Sequence, residues 1–263
     1  MIADLLSRVS SNGRAVDTEL IERAYQFART AHGDSVRLTG EPFITHPVAV
    51  SEILSELGMD DKTIAAALLH DVVEDCAVDC QRIRAEFGDE VAELVEGVTK
   101  LRRIDFNTRQ DQQAENLRKM FMAMARDIRV IIIKLADRLH NLRTLDPFPP
   151  ERQEEKAQET LQIFAPLAHR LGIWHLKWEL EDLSFRYTNA EIYWDMVRKV
   201  KKTREQRVHE VDQAISALVS KLKEEGVEAE IQGRPKHLYS IYNKMLRDEV
   251  DFDRIYDLTA IRV

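Results

Sequence analysis

Leu20, Ile21, Ala24, Phe27 and Ala28 recur at helical spacing through TELIERAYQFARTAH and lay one apolar stripe along a helix. Asp17 stands where an N-cap is needed, and Gly33 where such a helix stops. The turn-rich loop DSVRLTGEPF follows and carries Arg37. The same spacing predicts helices over 47–57, 61–75, 79–87, 89–97, 111–125, 127–145 and 151–171. Pro47 suits a first helical turn, where its missing N–H costs nothing. DPFPP at 146–150 is the clearest break. WHLKWELEDLSFRY and a long charged stretch ending in KLKEEG then continue the helical pattern, the latter reading as a solvated linker or bundle helix. After Gly226 the texture changes. VEAEIQG alternates like a strand, RPKHLYSIYNKMLRD reads as a basic helix, and FDRIYDLTAIRV reads as a second strand with nothing after it to pair. A strand–helix–strand opening is less than a domain, so the sequence is expected to stop inside one.

The 263 residues are enough for one large or two small domains. Charged residues make up 32% and hydrophobic ones 44%, while Gly (9) and Pro (7) are scarce, which favours long helices. The net charge of −8 argues against nucleic-acid binding driven by phosphate attraction. It leaves room for an anionic ligand held by a metal and a local basic cluster. Cys76 and Cys80 are too few for a disulfide framework and read as reduced thiols. No apolar run reaches the roughly 18–20 residues that span a membrane, and the N-terminus lacks a signal-peptide pattern. A cytoplasmic protein is expected.

The densest chemistry lies in LLHDVVED. On the helix predicted over 61–75, His70 aligns with Glu74 and Asp71 with Asp75. The apolar TIAAALL leads into these groups, and burying them unpaired would be costly. His46 in FITHP stands at a helix entrance, and Asp137 in VIIIKLADRLHNLRTL follows four apolar residues that hold it rigidly. His46, His70, Asp71 and Asp137 make a two-His, two-Asp set, which suits manganese, iron, zinc or magnesium better than a structural zinc knot.

The order H…HD…D resembles HD-type metal phosphohydrolases. The similarity goes further. VRLTGEPFITHP, LLHDVVED, GVTKL, AENLRKM, KLADRLHNLRTL, APLAHRLG, KWELEDLSFRY, GRPKHLYSIYNKM and YDLTAIRV occur in the order seen in RelA/SpoT homologues, which make and degrade the alarmones ppGpp and pppGpp. The resemblance implies a mainly α architecture. Residues 1–175 would be an all-helical HD hydrolase domain, 176–225 a helical linker, and 226–263 the start of an α+β synthetase domain. It implies manganese on His46, His70, Asp71 and Asp137, catalytic carboxylates at Glu74 and Asp75, and nucleotide contacts at Arg37, Asn141 and Thr144. In the synthetase part it implies triphosphate contacts at Arg234 and Lys236 and a magnesium ligand at Asp257. Later residues of that site would lie past Val263, so the partial synthetase is expected to be inactive. A ribosome would be a partner only of a longer parent protein. Leu38 departs from the basic residue that relatives often carry after the Arg.

The implied reaction removes the 3′-diphosphate of (p)ppGpp, giving GDP or GTP and pyrophosphate. Asp75 is expected to position the attacking water and Glu74 to assist. Arg37 can fork to a phosphate or stack on a base. Asn141 lies one turn beyond Asp137 on the same face, and Thr144 one turn further. Lys134 and Arg138 flank Asp137 at i−3 and i+1, so they cannot both share its face. His140 is expected to point elsewhere, and Lys100, Arg102 and Arg103 to be a solvated cluster. Competing readings are an HD phosphohydrolase acting on another nucleotide and a non-catalytic alarmone-binding regulatory fragment.

Overall fold

A computed structural model describes residues 1–11, 16–102, 126–227, 232–235, 237–255 and 259–262, with side chains at 102, 202–214, 232–235, 253 and 259–262 left out of that description. The helix predicted over 111–125 and Arg103 lie outside the described residues.

Local signals set the first helices. α1 (Ile2–Ser11) buries Leu5 and Val9, and α2 (Thr18–His32) begins where the Asp17 carboxylate accepts from the N–H of Leu20. Gly33 ends α2 with φ 54°, a conformation that costs glycine least. α3 (Thr45–Glu56) packs against α4 (Asp61–Leu69), which is capped by Asp60. Ile64 to Leu69 are fully buried, so α4 runs through the centre of the core.

The predicted 61–75 helix is broken. α4 stops at Leu69, and a separate turn, α5 (Val72–Asp75), follows. In an unbroken helix the carbonyl of Ala67 would serve the N–H of Asp71; here it lies 2.7 Å from His70 Nδ1. A side-chain hydrogen bond of this kind competes with the helical ladder. His70 and Asp71 therefore sit at a corner.

α6 (Cys80–Phe87) and α7 (Asp89–Arg102) pack together, and α7 lies against α8 (Ile128–Arg143). A Cβ at Gly97 would come within 2.7 Å of Val130 Cγ2, so glycine permits that close approach. The helix predicted over 151–171 is three pieces: α9 (Pro150–Glu159), a π-helical turn (Thr160–Phe164) and α10 (Ala165–Arg170). α11 (Trp174–Thr188) then serves two cores. Leu176 and Leu180 belong to the large core that begins at Leu5, whereas Phe185 joins Met196, Ile241, Phe252 and Ile255 in a second cluster.

α12 (Ala190–Glu224) leads to β1 (Gln232–Pro235), α13 (Leu238–Asp248) and β2 (Thr259–Arg262). β2 is shorter than predicted: Phe252–Arg254 is a 3₁₀ turn. It runs antiparallel to β1, with Arg234 opposite Ala260. The helical architecture with a small β segment agrees with the sequence expectation.

Two polar junctions hold this arrangement. Arg129 at the start of α8 reaches Asp127 (2.6 Å), Asp60 (3.3 Å) and Glu90 (2.8 Å), tying the N-terminal ends of α4, α7 and α8. Hydrogen bonds from Arg129 lower the pKa of Asp127, and those from Lys62 and Arg129 lower that of Glu90. Burial opposes the same shift at Asp60, but Thr63 and Arg129 outweigh it. A carboxyl whose pKa is lower in the folded state contributes stability above its unfolded value and loses it as pH falls through the folded one. We expect the Tm to drop as pH falls below about 4, the ordinary carboxylate range, and to drop less steeply in Arg129→Met. Parallel slopes in melts across that range would refute this assignment.

The second junction joins α11 to α13. His237, the N-cap of α13, makes no side-chain cap bond of its own. Asp182 of α11 supplies one, accepting from the N–H of Tyr239 at 2.9 Å and of Leu238 at 3.4 Å. The ring of His237 stacks on Trp178 with centroids 4.6 Å apart. Asp182→Ala should cost about 1 kcal/mol, the usual worth of an N-cap. Hydrogen exchange should show the loss in α13 and leave α4 protected.

Candidate metal centre and cleft

Three elements converge on one buried point. His46 comes from the first turn of α3, His70 and Asp71 from the corner between α4 and α5, and Asp137 from the middle of α8. Each is at most 6% exposed. His46 Nε2 lies 3.4 Å from Asp71 Oδ2 and 3.2 Å from Asp137 Oδ1. His70 Nε2 lies 3.3 Å from Asp71 Oδ2 and 3.9 Å from Asp137 Oδ1. Nitrogen and oxygen donors of His46, His70 and Asp137 fall within 4.8 Å of one another.

The hydrogen bonds around the cluster fix how it faces inward. His70 Nδ1 is spent on the Ala67 carbonyl, which leaves the Nε2 lone pair directed at the carboxylates. That Nε2 is buried and has no hydrogen-bond partner. Such an orphan is costly unless something binds it. A divalent cation fits: the donors are two imidazoles and two carboxylates, and one imidazole is already oriented by a backbone carbonyl.

Asp137 is held from both sides. Lys134 Nζ meets Oδ2 at 2.6 Å, and Asn141 Nδ2 donates to Oδ1 at 2.6 Å. Burial alone would raise its pKa, but the Lys134 ammonium and the His46 and His70 imidazoles hold the carboxyl well below its usual range. Burial lowers the pKa of His46. His140 does not point away: its Nδ1 lies 2.8 Å from Nδ1 of His46. Burial, His46 and Arg37 push the pKa of His140 down to about 3, so it is neutral. A helix position beside Asn141 gave no reason to expect this, because the contact spans 94 residues of sequence to α3.

A cleft of about 690 Å³ opens from the cluster, within the size range of small-molecule sites. His46, Asp71 and Asp137 line it at one end, and Asp75 lies in its wall. Glu74 is half-buried and does not line it. At the rim Arg37 donates to Thr144 Oγ1 (3.0 Å) and Asn141 Oδ1 (3.3 Å), so the three expected nucleotide contacts meet in one place. Leu38 is 68% exposed beside them.

Cations line the cleft despite the acidic total. Lys134 and Arg138 both contribute, but only Lys134 pairs with Asp137. Arg138 binds Glu159 at 2.8 Å and lies over the Phe164 ring at 4.2 Å. Arg152 and Lys156 of α9 line the cleft too, and sequence reasoning missed them. Their i, i+4 spacing straight after DPFPP was the available signal. Lys100 pairs with Glu96 at 2.6 Å and is largely exposed, as expected. Of the partial synthetase residues, Arg234 lies on β1 without a described side chain, and Lys236 and Asp257 lie outside the described residues. Among the described residues no helix is long and apolar enough to cross a membrane.

A probable guanosine-3′,5′-bis(diphosphate) 3′-pyrophosphohydrolase of Synechocystis is 52% identical over 245 residues, 93% of this chain and 32% of that protein. The bifunctional (p)ppGpp synthase/hydrolase SpoT of Escherichia coli is 49% identical over 243 residues, 92% of this chain and 35% of its own length. A GTP pyrophosphokinase of Streptomyces coelicolor is 47% identical over 266 residues, all of this chain and 31% of the relative. The chain thus spans about a third of the length of the curated relatives it matches. Residues 24–174 match the HD domain family, a span that holds all four residues of the buried cluster and every residue that lines the cleft. The chain belongs to the HD-domain family.

Proposed function

We propose that this chain hydrolyses the 3′-diphosphate of ppGpp or pppGpp, yielding GDP or GTP and pyrophosphate, with manganese as the resident ion. The orphaned Nε2 of His70, facing two carboxylates at the end of a cation-lined cleft, carries the reading. His46, His70, Asp71 and Asp137 would hold the ion. When bound, a divalent cation there offsets phosphoryl charge and acidifies water.

The chain's own groups do the rest. Arg37, Asn141 and Thr144 form one hydrogen-bonded set that can seat the nucleoside end of the substrate. Lys134, Arg152 and Lys156 offer charge to its phosphates. Asp75, in the cleft wall, orients the water and takes its proton, and Glu74 assists from behind. The water oxygen bonds to phosphorus, the bond to the ribose 3′ oxygen breaks, and that oxygen gains a proton. Relatives whose names describe this hydrolysis support the reading. We further propose that 1–175 is the hydrolase unit, 176–225 a helical linker, and 226–263 part of a synthetase domain that would use Arg234, Lys236 and Asp257 with magnesium. A cytoplasmic location, and a ribosome as partner of a longer parent, belong to the same proposal.

The test is pyrophosphate release from ppGpp with manganese, against a chelated sample and a panel of deoxynucleotides. Metal-dependent release from ppGpp alone supports the proposal. Release only from deoxynucleotides makes the chain another kind of nucleotide phosphohydrolase. Binding of ppGpp without release makes it a regulatory fragment.

A further inference from the structure

His140 has no part in the reaction as described, and it does not line the cleft. It is nonetheless directed at a proposed metal ligand. Its Nδ1 lies 2.8 Å from Nδ1 of His46, with ring centroids 4.9 Å apart. Two imidazole nitrogens approach this closely only when one carries a proton and the other offers a lone pair. Two arrangements satisfy the pair, and they differ in what they leave at the other side of His46.

If His140 donates, His46 carries its proton on Nε2. That proton points at Asp137 Oδ1, 3.2 Å away, and Nε2 cannot bind a cation. If His46 donates, its Nε2 lone pair faces the cluster beside the orphaned Nε2 of His70. We infer that His140 is a positioning residue: its Nδ1 accepts from Nδ1–H of His46 and so keeps Nε2 of His46 open to a divalent cation. The Ala67 carbonyl does the same for His70. The two ligand imidazoles are thus oriented by different means. A backbone carbonyl can only accept, whereas His140 can change tautomer. With an ion held, His46 gives up its Nε2 proton and keeps the shared one on Nδ1, while His140 takes a proton at Nε2, so both rings stay neutral; removing the ion reverses both shifts.

The inference rests on the metal-centre reading, and its test separates the two. Manganese alone is titrated calorimetrically into the parent protein, His140→Phe and His140→Asn. Phenylalanine keeps a flat ring and removes the acceptor; asparagine restores an acceptor near the Nδ1 position. We expect His140→Phe to bind manganese roughly 10–100-fold more weakly, as other losses of ligand-orienting partners do, and His140→Asn to stay within about threefold of the parent. Unchanged affinity in His140→Phe would overturn the inference, as would equal loss in both variants, which would mark a packing role. A parent that takes up no manganese would overturn the metal centre itself. Nitrogen-15 spectra of the zinc-loaded parent need no variant: His140 should carry its proton on Nε2, and a proton on Nδ1 would refute the assignment.

Discussion

Asp71→Ala is expected to cut pyrophosphate release from ppGpp by roughly a thousandfold or more, since a metal ion's charge stabilisation is worth several kcal/mol in the transition state. The direction of the stability change should be the opposite of the usual one. Asp71 is 6% exposed, and its Oδ2 lies 3.3–3.4 Å from both imidazoles, which are shared with the Asp137 carboxylate. Without an ion, two buried carboxylates repel one another and face the lone pair on His70 Nε2. Removing one relieves that conflict, so the metal-free variant should melt at or above the Tm of the metal-free parent. Manganese should raise the parent's Tm, because a ligand that binds only the folded state stabilises it. That rise should vanish in Asp71→Ala. A variant that keeps either its turnover or its manganese-dependent Tm shift would remove Asp71 from the metal centre.

Much of this site was legible because its chemistry is compressed into short runs. LLHDVVED places two proposed ligands and two further carboxylates within six residues, and KLADRLHN puts Asp137 and Asn141 one turn apart on a helix that the structure retains. The Asp17 cap and the Gly33 stop were readable because both act within one turn. What escaped depended on groups far apart in sequence or on competition at a single atom. His140 contacts His46 across the fold. The break after Leu69 arises because His70 takes the Ala67 carbonyl, a preference that apolar periodicity does not encode. The division of α11 between two cores follows from where Phe185 meets the aromatic rings of α12 and α13, which no local pattern reveals.

The break also gives Glu74 and Asp75 different surroundings. On a continuous helix Glu74 and Asp75 would have followed His70 and Asp71 around one cylinder. On the separate turn of α5, the N–H of Asp75 bonds to the Asp71 carbonyl at 2.9 Å, so its backbone is fixed to that of a proposed ligand. Its side chain is exposed to the cleft, whereas Glu74 is half-buried outside it. Asp75→Asn keeps the shape but cannot accept a proton from water. It should lower kcat by about 10²–10⁴, the usual contribution of a positioned base, with manganese affinity and KM nearly unchanged. Glu74→Gln should lose less, because its carboxylate reaches the water only through its neighbour. A larger loss of kcat in Glu74→Gln than in Asp75→Asn would exchange the two roles. It would also mean that α5 turns on substrate binding, because only then could Glu74 enter the cleft.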